Sequence, residues 1–196
     1  MKNKCKIRIG FLFIFLTLTL CIMRSNSLIP LLLAIFLHEL GHIAIARICS
    51  IQLAELRLDI FGAALSPSST TYSYRSEILL CLGGPLANIA TATLLYTLPQ
   101  TPFLSTLTAS SIGLALINLL PIQGFDGGRI LSATLSHFLT LKTVLLLCSA
   151  VSFIFIFMLW TFSVYLLLRC GSSLSAFIFS LSLFSKIFLG SKALSS

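Results

Sequence analysis

The stretch Ala34-Ile35-Phe36-Leu37-His38-Glu39-Leu40-Gly41-His42-Ile43-Ala44-Ile45-Ala46 sets two histidines and a glutamate inside an otherwise apolar run. On an α-helix, residues four apart project from one face, so His38 and His42 can share one metal ion. Glu39 lies beside that face. There it can take a proton from water without itself being a ligand, as a general base must. Gly41 leaves the helix surface open beside the metal. Ionisable groups are costly in a membrane segment and mark function there. Two histidines merely buried against backbone would leave three polar groups without a use.

The surroundings of the motif decide the class of protein. The chain has 196 residues, 57% of them hydrophobic and only 9% charged, with a mean hydropathy of +1.05. A soluble domain carries about a quarter charged residues, so most of this surface must face lipid. The formal charge of +8 is no nucleic-acid signature. The basic residues are scattered singly, apart from Lys2, Lys4, Lys6 and Arg8, and read as cytoplasmic anchors of loops. The six cysteines show no C-x-x-C spacing and suggest neither a disulfide framework nor a zinc knuckle.

Six apolar runs are candidate spans: Ile9–Met23, Leu28–Ala46, Ile78–Leu98, Phe103–Leu120, Val144–Leu168 and Leu174–Leu189. About twenty apolar residues cross the hydrocarbon core. The first and last runs are short, and the first is read as an uncleaved span because no small-x-small site precedes Arg24. Alternate crossing puts Arg47, Arg57, Arg75, Arg129, Lys142, Lys186 and Lys192 on the side of the N-terminus. Arg24 and Arg169 fall opposite. This bias predicts both termini in the cytoplasm. Ile51–Ile60 alternates apolar and polar residues with a slip near Ala54-Glu55, and Ile51–Leu65 reads as a short membrane-surface β-hairpin or lone strand pair, or as an irregular interfacial loop. The expected fold is an all-α polytopic membrane protein with about six transmembrane helices, a three-helix catalytic core and that hairpin. It forms a single membrane-embedded domain over 1–196, with the core at about 28–130 and accessory spans at 9–23, 144–168 and 174–189.

The chain has five acids. Glu55, Asp59 and Glu77 belong to the hairpin region, which leaves Glu39 and Asp126 to explain. Catalytic zinc sites take three protein ligands and keep one position open for water. Asp126 sits in Asn118-Leu119-Leu120-Pro121-Ile122-Gln123-Gly124-Phe125-Asp126-Gly127-Gly128, at the cytoplasmic end of the fourth span, where the second span also arrives. The topology thus brings His38, His42 and Asp126 to similar depth. Asp-Gly-Gly is also an ordinary turn sequence, and His137 is another available ligand. Pro121 and the glycines break the helix, which membranes tolerate where the backbone lines a cavity. Asn118 would then be a buried amide beside the metal, able to bond a developing oxyanion or a substrate carbonyl, or to make an interhelical hydrogen bond. Packing of the third span on the second accounts for Gly83-Gly84-Pro85-Leu86-Ala87-Asn88 without a catalytic role.

These motifs, in this order over about Leu28 to Ile130, resemble the site-2 protease family of intramembrane zinc metalloproteases. A short preceding span and a strand after the histidine motif are most similar to its bacterial sporulation branch, the stage IV sporulation protein FB type. The CBS domain usual in that branch is not expected in this chain. The resemblance implies one Zn2+ held by His38, His42 and Asp126, with Glu39 as catalytic base and Asn118 as a transition-state or substrate-positioning group. It also implies a membrane-associated pro-sigma factor as substrate, inhibitory membrane partners and no nucleic acid.

The expected reaction is peptide-bond hydrolysis at the inner face of the bilayer, with Glu39 carrying the proton to the leaving amine. The substrate must be extended there, and the strand after the motif offers an edge on which it can pair. A metal or proton transporter would spread its ionisable groups across the membrane depth, whereas here they cluster near one face. An inactive homologue acting as a binding protein is the other rival. Metal analysis with a cleavage assay separates the three.

Overall fold

The computed structural model describes residues 6–9, 27–51, 53–59, 62–67 and 73–170. Most of the expected first span, and all of the last, lie outside the described residues. Ile9, where the first was expected to begin, ends a strand. The chain divides into two compact units, Met1–Leu119 and Leu120–Ser196.

Among its described residues, the first unit holds three strands, β1 (Lys6–Ile9), β2 (Leu53–Asp59) and β3 (Gly62–Pro67). They form one sheet in the order β1-β2-β3. β1 runs parallel to β2, with Lys6 opposite Glu55, and β3 runs antiparallel to β2, with Asp59 opposite Gly62. The β2–β3 register shifts between Leu53 and Glu55, where the sequence alternation slips.

Among the described residues, this unit also holds three helices: α1 (Leu28–Ile48), α2 (Tyr74–Tyr96) and α3 (Pro102–Asn118). Each begins where its sequence allows. Pro30 stands in the first turn of α1, where its missing N–H would have had no intrahelical partner. Ser73 caps α2 by accepting a hydrogen bond from the Arg75 N–H at 3.4 Å. Thr101 caps α3 by accepting from the Leu104 N–H at 3.3 Å, with Pro102 next, the position proline favours. At the end of α1, Ser50 adopts φ 53°. The Ser50 N–H reaches the Arg47 carbonyl at 3.1 Å and the Ile51 N–H reaches that of Ala46 at 2.8 Å. This paired closure is the Schellman turn, here built on serine instead of glycine, and it turns the chain toward β2.

The three helices pack on one another, and they do so inside out. Along α1 the buried residues are Pro30, Ala34, His38, Glu39, His42 and Ala46, largely a four-residue stripe. Phe36, Leu40 and Ile48 of the same helix are exposed, as are Leu86 and Leu94 of α2 and Leu116 of α3. A face of large apolar side chains turned outward around a partly polar interior suits lipid as the solvent. Glycine sets the closest contact. A methyl group on Gly41 would overlap the Gly83 carbonyl, and one on Gly83 would stand 2.7 Å from the Gly41 carbonyl oxygen. The α1 and α2 backbones therefore touch here, the close approach that small residues permit between membrane helices.

The second unit contains α4 (Asp126–Ser136) and α5 (Leu141–Cys170). α5 buries a stripe at Val144, Cys148, Ser152 and Ile156 and exposes Leu145, Leu146, Phe153, Phe157 and Phe162. Among the described residues, three helical stretches are long and apolar enough to cross a membrane: Leu28–Ile48, Tyr74–Tyr96 and Leu141–Tyr165. α3 is apolar but shorter. Its 17 residues rise about 25 Å, against a hydrocarbon core of about 30 Å.

The link after α3 also differs from the sequence reading. Asp126 does not end the fourth span. α3 stops at Asn118, and Asp126 opens a separate helix after an irregular link. Pro121 has no N–H to continue a helical ladder, and Gly124 takes φ 101°, a left-handed conformation that favours glycine.

Candidate metal centre

The two histidines of α1 are oriented by α2. The Nδ1 of His42 lies 2.7 Å from the Leu80 carbonyl oxygen. A carbonyl cannot donate, so this nitrogen carries the proton and the Nε2 of His42 keeps its lone pair. The Gly84 N–H also lies 3.3 Å from the same Nδ1. That N–H is the i→i−4 donor of α2 toward Leu80, and the shorter contact decides the tautomer. Four residues back along α1, the Nδ1 of His38 lies 3.2 Å from the side-chain amide of Asn88. Each ring is thus held at Nδ1 by α2, and the two Nε2 atoms face each other at 3.2 Å. The rings meet at 84°, with centroids 4.8 Å apart.

This spacing can be checked against metal chemistry. Two imidazole nitrogens bound at 2.0–2.1 Å to a tetrahedral ion stand about 3.3 Å apart. Space for an ion is left by Gly84, where a methyl group would overlap the Nε2 of both histidines. Leu80, Gly84 and Asn88 recur every four residues and so share one face of α2. The outer two hold a ring each, and the middle one leaves room. His38, His42 and Asn88 are all buried, so water does not compete for their polar atoms. The donor type, spacing and clearance all fit zinc.

Glu39 is buried on α1 beside this pair. Asn118, at the last turn of α3, is also buried, and its Nδ2 donates to the Leu114 carbonyl of its own helix at 3.0 Å. In the second unit, Asp126 is the first residue of α4 and is buried, with Phe125 in the cap position. Its carboxylate stands at the helix N-terminus, where the macrodipole favours negative charge. The loop before it is fixed within its own unit. The Gln123 N–H donates to the Ser152 Oγ of α5 at 2.8 Å, and Ser152 donates to the Cys148 carbonyl at 2.6 Å. A methyl group on Gly128 would overlap the Ile122 carbonyl, so the first turn of α4 lies directly on the link. His137, the other ligand type considered, is exposed at the opposite end of α4 against the Phe138 ring. Eleven residues separate it from Asp126, about 16 Å of helix.

Asn88 is the residue whose part in the site the sequence reading passed over. Packing accounts for Gly83 as expected, but it does not account for an amide held on a histidine. The signal was present in the four-residue spacing of Asn88 from Gly84.

Residues 27–103 match the model of Peptidase family M50. The chain is 28% identical over 152 residues to stage IV sporulation protein FB of Bacillus subtilis (strain 168), an alignment covering 70% of this chain and 53% of that protein. The chain therefore spans about half the length of that relative. Its fold is similar to that of the site-2 protease from Methanocaldococcus jannaschii, with a TM-score of 0.66, 22% identity, and coverage of 93% of this chain and 89% of the other. The segment that matches Peptidase family M50, residues 27–103, carries both histidines, Glu39 and the anchoring face of α2.

Proposed function

We propose that this chain is an intramembrane zinc metalloprotease that hydrolyses a peptide bond of a membrane-associated protein near the cytoplasmic face. The observation that carries this reading is the pair of buried Nε2 atoms facing each other at 3.2 Å with Glu39 next in sequence, in a segment that matches a family of peptidases. His38 and His42 supply two ligands, and Asp126 is assigned as the third. All three are buried, and each offers one ligand atom. This set leaves a fourth position for water or substrate. When bound, the ion polarises the scissile carbonyl and lowers the pKa of water at the site.

The remaining steps belong to the protein. Glu39 accepts a proton from the attacking water and returns it to the leaving amine. Asn118 is assigned to the substrate carbonyl or developing oxyanion, which requires its Nδ2 to leave the Leu114 carbonyl or to donate through its second N–H. The strands after the histidine motif offer an edge for an extended substrate, since β3 ends the sheet among the described residues and a sheet edge can accept an added strand. A membrane-associated pro-sigma factor is the substrate class suggested by likeness to a sporulation protein, with inhibitory membrane partners as its regulators.

The test is Glu39→Gln in the full chain, co-expressed with a membrane-tethered pro-sigma factor. Cleavage should fall by about 10²-fold or more while bound zinc is retained. Undiminished cleavage would remove the general-base assignment, and a wild-type chain that binds no metal would remove the metalloprotease reading.

A further inference from the structure

The side-chain amide of Asn88 has a second atom to place. Asn88 is fully buried, its Nδ2 faces the Nδ1 of His38 at 3.2 Å, and its Oδ1 has no hydrogen-bond partner. With Nδ2 facing the ring, the Nδ1 of His38 must be the acceptor, so the ring proton sits on Nε2, between the two histidines. The Nε2–H of His38 then donates to the lone pair that the Leu80 contact leaves on the Nε2 of His42. That arrangement is incompatible with His38 as a ligand, because the coordinating Nε2 must be unprotonated.

Turning the amide by half a rotation resolves this. Its oxygen and nitrogen are nearly the same size, so the turn needs no extra space. Oδ1 then accepts a hydrogen bond from Nδ1–H of His38, and Nε2 is released toward the space over Gly84. We infer that Asn88 is a positioning residue for the metal centre, holding His38 in the tautomer that coordinates zinc. The inference rests on the metal-site reading above and adds to it an outer partner on a neighbouring helix. The two ligands are then treated alike. Leu80 fixes His42 through a backbone carbonyl, and Asn88 fixes His38 through a side-chain carbonyl eight residues along α2. Such outer hydrogen bonds set ring orientation and raise ligand basicity. An amide, unlike a backbone carbonyl, can serve both proton arrangements, so Asn88 can partner His38 before and after the ion enters.

The experiment is zinc affinity by chelator competition on the full chain in detergent, for wild type, Asn88→Leu and Asn88→Asp. Leucine keeps the approximate shape and removes both polar atoms. Affinity should weaken by about 10–100-fold. Aspartate retains an acceptor for Nδ1–H, and its affinity should stay within a few-fold of wild type. Wild-type affinity in Asn88→Leu would overturn the inference while leaving the metal site standing. Equal losses in both variants would also overturn it, because they would mark Asn88 as an element of helix packing. A wild-type chain that binds no zinc would overturn this inference together with the reading on which it rests.

Discussion

The α1–α2 pair and the link into α4 present their polar groups by different means. In the pair, helical period does the work. Residues four apart on α1 supply two imidazoles, and residues four apart on α2 supply a carbonyl, a gap and an amide. Asp126 owes nothing to period. Its place is set by a link with one left-handed glycine, a backbone N–H held by Ser152, and a first turn that tolerates no side chain at Gly128. The contrast teaches that one half of the proposed site is rigid because its helices are in backbone contact, while the other is held by a few separate interactions. Substitutions should affect the first mainly through steric fit, and the second both through steric fit at Gly128 and through loss of single bonds.

The largest effect is expected at Gly84. In Gly84→Ala the new methyl group overlaps both Nε2 atoms, and nearby rings cannot move without leaving Leu80 or Asn88. Overpacking of this kind costs on the order of 3 kcal/mol, so zinc affinity measured by chelator competition should fall by about a hundredfold. Retained affinity would show that the α1–α2 pair is looser than its geometry implies.

Gly128→Ala tests the other region at its tightest point. The clash there is with backbone and should destabilise the start of α4 by about 1–3 kcal/mol. It would be read as earlier thermal unfolding in detergent and faster amide exchange at the first turn of α4. Ser152→Ala removes the acceptor of the Gln123 N–H and should cost about 1 kcal/mol, with faster exchange of that one amide. Equal protection of the Gln123 amide in both proteins would mean the link is held by something other than Ser152.

The smallest effect is at the end of α1, where Ser50 occupies a left-handed conformation with φ 53°. Ser50→Gly relieves about 1 kcal/mol of backbone cost, offset in part by the greater freedom of glycine in the unfolded chain. A small rise in melting temperature is expected, with zinc affinity unchanged. A change in affinity would link the α1–β2 turn to the metal pair, which the contrast drawn above does not anticipate.

Much of this was legible without coordinates because the membrane limits the choices. In an apolar run, His38, Glu39 and His42 stand out, and a helix is the one open structure that satisfies its own backbone there. The runs beginning at Leu28, Ile78, Phe103 and Val144 fall on α1, α2, α3 and α5. The helix over Asp126–Ser136 was not legible. Its apolar residues are few, and its start depends on Pro121 and Gly124 breaking the chain well after α3 has ended.

The sequence by itself determined that lipid is the solvent and that His38 and His42 share a helix face, because composition and a fixed 3.6-residue period suffice for both. It also marked Gly83 and Gly84 as a place for close packing. Only the tertiary structure decided which ring nitrogens point inward. That choice requires a second helix to occupy each Nδ1, and a backbone carbonyl at Leu80 and an amide at Asn88 become ring partners only when α2 lies across α1 at the Gly41–Gly83 contact.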